Sequence, residues 1–239
     1  MHHAVVDRWS HGHSLLHARD ARVKLLVLLV FLVALATARV SALTILAYSF
    51  LLAAAIAVAR LPVGGVLLRA CVVLPFTAVF ACLSLLAGEG SRALALAVRS
   101  YLSAAAVLVL AGTTPLPEFL RGLESLGAPR FLVLVVQFLY RYLFVISEQA
   151  QHMRLAACSR GAARGPLGPD RARFRAASGA VAVLFARSYA RAQAIHRAML
   201  ARGFEGRIRM LSAPRLTAAD WLFLALGILI SLAPLAGTP

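Results

Sequence analysis

Uncharged apolar runs alternate along this chain with short basic breaks. Residues 25–38, 40–59, 70–88, 93–112 and 221–239 are predicted to be five membrane-spanning helices, each approaching the ~20 residues that cross a bilayer. The first run is short and needs Val23 and Lys24 within its helix, with Lys24 snorkelling to the interface. Pro75 predicts a kink in the third. Arg99 lies inside the fourth and is expected to face protein or headgroups rather than lipid. Asp220 and Trp221 mark an interfacial start for the last.

A sixth run, residues 131–146, contains Gln137 and Arg141. The distribution of positive charge decides its place, because cytoplasmic loops hold the lysines and arginines. If the run does not span and the N-terminus is cytoplasmic, 22 of the 25 basic residues lie inside, and Arg39 and Arg92 lie outside. If it spans, the split becomes 8 inside against 15 outside. The first arrangement is preferred. The chain is therefore expected to be an all-α integral membrane protein. A cytoplasmic segment covers residues 1–24, four spans lie within 25–112, a cytoplasmic domain covers 113–219, and a last span covers 220–239. Asp7 and Asp20 before the first run are unlike a signal-peptide leader, so that run is expected to remain as a membrane helix.

Three helices are expected in the cytoplasmic domain. Thr113-Thr114-Pro115-Leu116-Pro117-Glu118 reads as a hydroxyl-capped start with an early carboxylate. Phe119, Leu120, Leu123 and Leu126 form a stripe at helical spacing that ends at Gly127 and Pro129. A second helix runs from about 129 to 159, apolar nearly all round until Ile146 and polar from Ser147 on, and so needs a greasy cover for its first half. A Gly-, Pro- and Arg-rich linker covers 160–173. The third helix, about 174–202, carries an apolar face of Phe174, Val181, Phe185, Ile195 and Met199. The second and third helices end on the same phrase, Ala156-x-x-x-Arg160-Gly161 and Ala198-x-x-x-Arg202-Gly203. Glycine suits a left-handed cap, and arginine complements the negative end of a helix. Two copies in one basic domain point to docking points for two copies of an acidic partner.

Composition supports the membrane assignment and narrows the chemistry. The 239 residues are 61% hydrophobic and 14% charged, against a usual ~25% charged. The net charge is +16, and Lys24 is the sole lysine. Arginines placed between membrane-length apolar runs speak for topology rather than nucleic-acid binding. Cys71, Cys82 and Cys158 form no metal or disulfide pattern. No P-loop, GxSxG or HExxH occurs. His2, His3, His11 and His13 are imidazoles without a shaped cage, so no metal site or cofactor is expected. Catalysis is not expected. The competing class is a membrane-embedded enzyme acting on lipid or isoprenoid phosphates, which needs acidic metal ligands or a nucleophile that the sequence does not cluster.

The chain resembles the CbiQ/EcfT family, the transmembrane T components of energy-coupling factor transporters. The residues that carry the resemblance are Ser14-Leu15-Leu16-His17-Ala18-Arg19-Asp20-Ala21-Arg22-Val23-Lys24, Thr113-Thr114-Pro115, Tyr140-Arg141-Tyr142-Leu143-Phe144-Val145 and the two Ala-x-x-x-Arg-Gly phrases. Ala21 stands where the family often has proline. The Tyr-Arg-Tyr neighbourhood most resembles the cobalt branch, with nickel close behind, so the resemblance implies cobalt ion as substrate with nickel or a vitamin as alternatives. The resemblance implies a non-catalytic coupling subunit of an ATP-driven importer in the bacterial inner membrane. Two ABC-type ATPase subunits would dock on Arg160 and Arg202. A small substrate-binding membrane subunit would lie on Phe119, Leu123, Leu126, Phe131, Val135 and Phe138, with membrane lipid around the spans.

Overall fold

The computed structural model describes residue 12 and residues 14–38, 41–160, 171–206 and 216–236. They form helices, and no strand occurs among the described residues. The chain divides into two compact units. One comprises Met1–Ala128 with Pro214–Pro239, the other Pro129–Ala213.

The first unit contains α1 (Ala21–Thr37), α2 (Ala42–Ala59), α3 (Val63–Ala70), a 3-10 turn (Cys71–Val73), α4 (Leu74–Leu86), α5 (Gly90–Thr113) and α6 (Leu116–Ser125). The second contains α7 (Arg130–Ser159) and α8 (Arg171–Ala201), and α9 (Ala218–Ala236) returns to the first. Local chemistry explains the boundaries. Asp20 caps α1, its carboxylate accepting from the Arg22 amide at 2.9 Å. Ser41 and Thr44 form a capping box at the start of α2. Gly88 (φ +82°) and Gly127 (φ +107°) supply the left-handed residues that end α4 and α6.

Pro75 lies within the continuous helical stretch Val63–Leu86, just after the 3-10 segment Cys71–Val73 that interrupts its α-helical geometry. The tighter turn, in which the Leu74 amide donates to the Cys71 carbonyl, accommodates the ring and its missing N–H. The threonine cap expected before Glu118 is corrected. α5 continues to Thr113, whose hydroxyl donates back to the Val109 carbonyl at 2.9 Å. Pro115 is the residue before α6, and no side chain caps that helix.

Small residues let the first unit's helices approach closely. Ala34, Ala38, Ala59, Ala70 and Ala105 are buried beside Phe31, Tyr48, Ile56 and Val109. Phe31 meets Tyr48 edge to face at 5.5 Å. The Tyr48 hydroxyl donates to the Ser231 carbonyl at 3.3 Å, in the α9 turn loosened by Pro234. Arg99 is turned inward, its guanidinium donating to the Ala38 carbonyl at the end of α1; a cation there complements the helix's negative end.

α9 approaches α1 closely at Gly227. A Cβ there would lie 2.7 and 2.8 Å from the two γ-methyls of Val27 on α1. Gly227→Ala is therefore expected to destabilise the chain by about 1–3 kcal/mol through overpacking, and Gly227→Leu by more. Adding Val27→Ala to Gly227→Ala should recover most of the loss in detergent thermal unfolding. Equal stability of Gly227→Ala and the parent would refute this close packing.

Among the described residues three helical stretches are long and apolar enough to cross a membrane: Val63–Leu86, Gly90–Thr113 and Arg130–Ser159. Leu43–Ala59 and Ala218–Pro234 are shorter apolar helices. The third span thus begins at Val63 rather than residue 70 and carries Arg69. α7 satisfies length and composition as a span, so hydropathy does not separate it from the membrane helices.

Candidate coupling surface

Both Ala-x-x-x-Arg phrases fall at helix ends of the second unit. Arg160 follows the last residue of α7, and its amide donates to the Ala156 carbonyl at 3.3 Å. The i to i+4 relation places Ala156 on the arginine's face of the helix. Gly161 lies outside the described residues. At the end of α8 the Gly203 amide donates to the Leu200 carbonyl at 3.0 Å and the Phe204 amide to Met199 at 3.0 Å. With Gly203 at φ +75°, these two bonds make a Schellman ending that presents Arg202 just beyond the last helical residue.

Ala156, Arg160, Ala198, Arg202 and Gly203 are all exposed. Among the described residues neither guanidinium has a side-chain hydrogen bond or ion pair. Each arginine stands where unpaired carbonyls concentrate partial negative charge. At such an end the exposed side chain is available to a carboxylate or a carbonyl-lined groove.

The six apolar residues are divided between the units. On α6, Phe119 is half-buried, while Leu123 and Leu126 are exposed. That helix packs tightly on α1 through Gly122, where a Cβ would meet Leu25 Cδ1 at 3.2 Å and Ala21 Cβ at 3.3 Å. On α7, Phe131 is 73% exposed, Val135 is exposed and Phe138 half-buried. These three line a groove of 690 Å³ whose other wall, on α8, includes Arg191, Ile195, His196 and Met199. Aromatic contacts stiffen α7 along this stretch: Phe138 stacks on Tyr142 at 6.4 Å, and Tyr140 meets Phe144 edge to face at 5.1 Å. Among the described residues no group of three or more His, Cys, Asp or Glu side chains is placed to hold a metal ion. His2, His3, His11 and His13 lie outside them.

A polar cluster at one end of the first unit is the feature that sequence reasoning missed. Lys24 does not snorkel to an interface; it is 4% exposed. Its ammonium donates to the Thr113 carbonyl at 3.0 Å, the His17 carbonyl at 3.3 Å and the Thr114 hydroxyl at 3.4 Å. Its three donors are thus matched by three acceptors, one of them at the C-terminal end of α5. Asp220, buried at the start of α9, accepts from the Thr217 amide at 2.9 Å and hydroxyl at 2.6 Å and from the Asp20 amide at 3.4 Å. Arg19 reaches it at 3.8 Å. The cluster ties together the segment before α1, α1 itself, the α5–α6 corner and α9. A sequence signal existed: one lysine among 24 arginines marks a place where the compact ammonium is required.

Several apolar helices, a core of small residues and buried polar ties at one end define a multi-pass helical membrane protein. The sequence matches the family described as cobalt transport protein, CbiQ, over residues 12–212, and the chain belongs to that family. It is 31% identical over 130 residues to the cobalt transport protein CbiQ of Rhodobacter capsulatus, covering 53% of this chain and 51% of that protein. It is 30% identical over 107 residues to an uncharacterized protein of Methanocaldococcus jannaschii, covering 44% of this chain and 38% of that one. These matches span about half or less of the relatives' own length.

Proposed function

We propose that the chain is the transmembrane coupling subunit of an energy-coupling-factor importer for cobalt ion. It sits in the bacterial inner membrane with its N-terminus in the cytoplasm, and residues 113–219 form the cytoplasmic coupling domain before the last of five spans. Two ABC-type ATPase subunits bind the exposed ends of α7 and α8, with Arg160 and Arg202 entering one groove each. A small substrate-binding membrane subunit rests on the apolar faces that include Phe119, Leu123, Leu126, Phe131, Val135 and Phe138. ATP is hydrolysed by the partners, and this chain transmits their closure without doing chemistry itself.

The observation that carries the proposal is the pair of exposed arginines in one compact unit, each at a helix end with the same Ala-x-x-x-Arg spacing. The unpartnered apolar surface of α7 supports the membrane partner: a helix exposing Phe131, Leu132, Val135 and Leu139 needs a greasy cover. The cobalt assignment follows the family and the name carried by the R. capsulatus relative.

Gentle affinity purification of the chain from its own membranes tests this. Two ATP-binding-cassette subunits and one small membrane protein are expected to accompany it. A chain that emerges alone, with turnover of a lipid phosphate by itself, would replace coupling with catalysis.

A further inference from the structure

The first unit encloses a cleft of 340 Å³ between α1, α2, α5 and α9. That lies within the ~300–1,000 Å³ typical of small-molecule sites. Its walls are apolar: Val27, Phe31, Leu52, Ala55, Val109 and Phe223 are among the lining side chains. Among the described residues only three polar side chains, Lys24, Thr113 and Ser231, reach it. All three are already engaged. The Lys24 ammonium has its three acceptors, the Thr113 hydroxyl donates to Val109, and the Ser231 hydroxyl donates to the Gly227 carbonyl at 2.7 Å. Among the described residues no carboxylate, imidazole or thiol lines the cleft. A hydrated cation or polar solute would lose its water there and gain nothing in return. Voids with such walls stay dry and accept hydrocarbon.

The mouth of the cleft indicates where the hydrocarbon comes from. Its rim is formed by Ala54 and Val58 of α2 and Ile230 of α9, all exposed. Both are apolar helices of a membrane protein, expected from the sequence to span; the medium at the rim is then the bilayer core, and the molecule in greatest supply there is a lipid tail. We propose that this cleft is a binding site for one acyl chain of a membrane phospholipid, wedged between α2 and α9. The chain fills space that the side chains leave empty. The site lies beside Gly227 and Val27, where α9 meets α1, so its occupancy supports the same helix contact. The proposal needs only that the chain is membrane-embedded, not that it couples to ATPases.

The test places the full-length chain in nanodiscs of bacterial phospholipid doped with a phospholipid carrying a diazirine midway along one acyl chain. After irradiation, labelled peptides are mapped by mass spectrometry. Label is expected to concentrate on residues 51–58 and 227–231, well above the level at Phe76 and Phe80, which are exposed on α4. Ala55→Phe fills the cleft from α2 and should lose most of that label while leaving the α4 label unchanged. If that variant does not fold, Ala55→Leu, with less added bulk, should show a graded loss. Label in the cleft no greater than at α4, undiminished label in a folded Ala55 variant, or protection of the cleft by a partner subunit in the intact complex would each overturn the assignment.

Discussion

Reversing the charge of both terminal arginines, Arg160→Glu with Arg202→Glu, is expected to reduce ATP-driven cobalt uptake to background while the chain still inserts and folds. Both residues are exposed, and among the described residues their guanidiniums form no hydrogen bond or ion pair, so replacement removes no polar tie; surface substitutions away from special features usually change stability by less than about 0.5 kcal/mol. What changes is the partner-facing charge. Losing a buried, hydrogen-bonded charge at an interface costs about 2–5 kcal/mol, and a reversed charge adds repulsion against an acidic groove. On the proposed coupling role two sites multiply the effect, because both ATPase contacts would fail together. Each single variant should keep one contact and give partial uptake and partial retention of ATPase subunits on purification. Lysine at both positions should restore some function, less than arginine, because the planar fork is lost. Wild-type uptake by the double glutamate variant would remove these residues from the mechanism.

Lys24→Met should be the most damaging single substitution in the first unit. The thioether side chain roughly fills the same space, but the Thr113 and His17 carbonyls lose their donor. Glu118, Asp20 and Asp220, whose charges act on Lys24, lose the cation among them. Breaking one side of a buried charge cluster typically costs about 3–5 kcal/mol, a large share of a domain's stability. The measurement is thermal unfolding in detergent together with the yield of membrane-inserted protein. Asp220→Asn in the same background should cost less than in the parent, because the two residues belong to one cluster. A Lys24→Met chain within about 0.5 kcal/mol of the parent would show that the ammonium is not holding the α1, α5 and α9 ends together.

The two predictions probe opposite ends of what sequence can reveal. The helical, membrane-embedded character of the chain was legible because apolar runs of span length are set by bilayer thickness alone. Helix ends were legible where one residue type meets a backbone demand: Gly127 and Gly203 at left-handed caps, and the α7 and α8 limits within a few residues of the expected positions. Arg160 and Arg202 stood out because a phrase repeats, a property of sequence rather than of space. The threonine pair misled because a hydroxyl before a proline suits a helix start and a helix end equally. Only the length of α5 distinguishes the two. Residues 113–128, grouped by sequence with the cytoplasmic domain, hold a helix that packs on α1, since Gly122 removes the side chain that would keep it away.

By itself the sequence determined the class of protein, the helical segments and the two arginine phrases, since each depends on local spacing and on the solvent the chain must face. Tertiary structure decided the rest. Lys24 is a snorkelling cation in a lone helix, and becomes a buried tie only when the end of α5 and the first segment bring two carbonyls and a hydroxyl within 3.0–3.4 Å of it. Asp220 became a junction with Asp20, two hundred residues away in the chain. The acyl-chain cleft exists only because four helices meet with small residues between them. Hydrogen-bond partners, close approaches and voids are relations between distant residues, and periodicity along one chain carries no record of them.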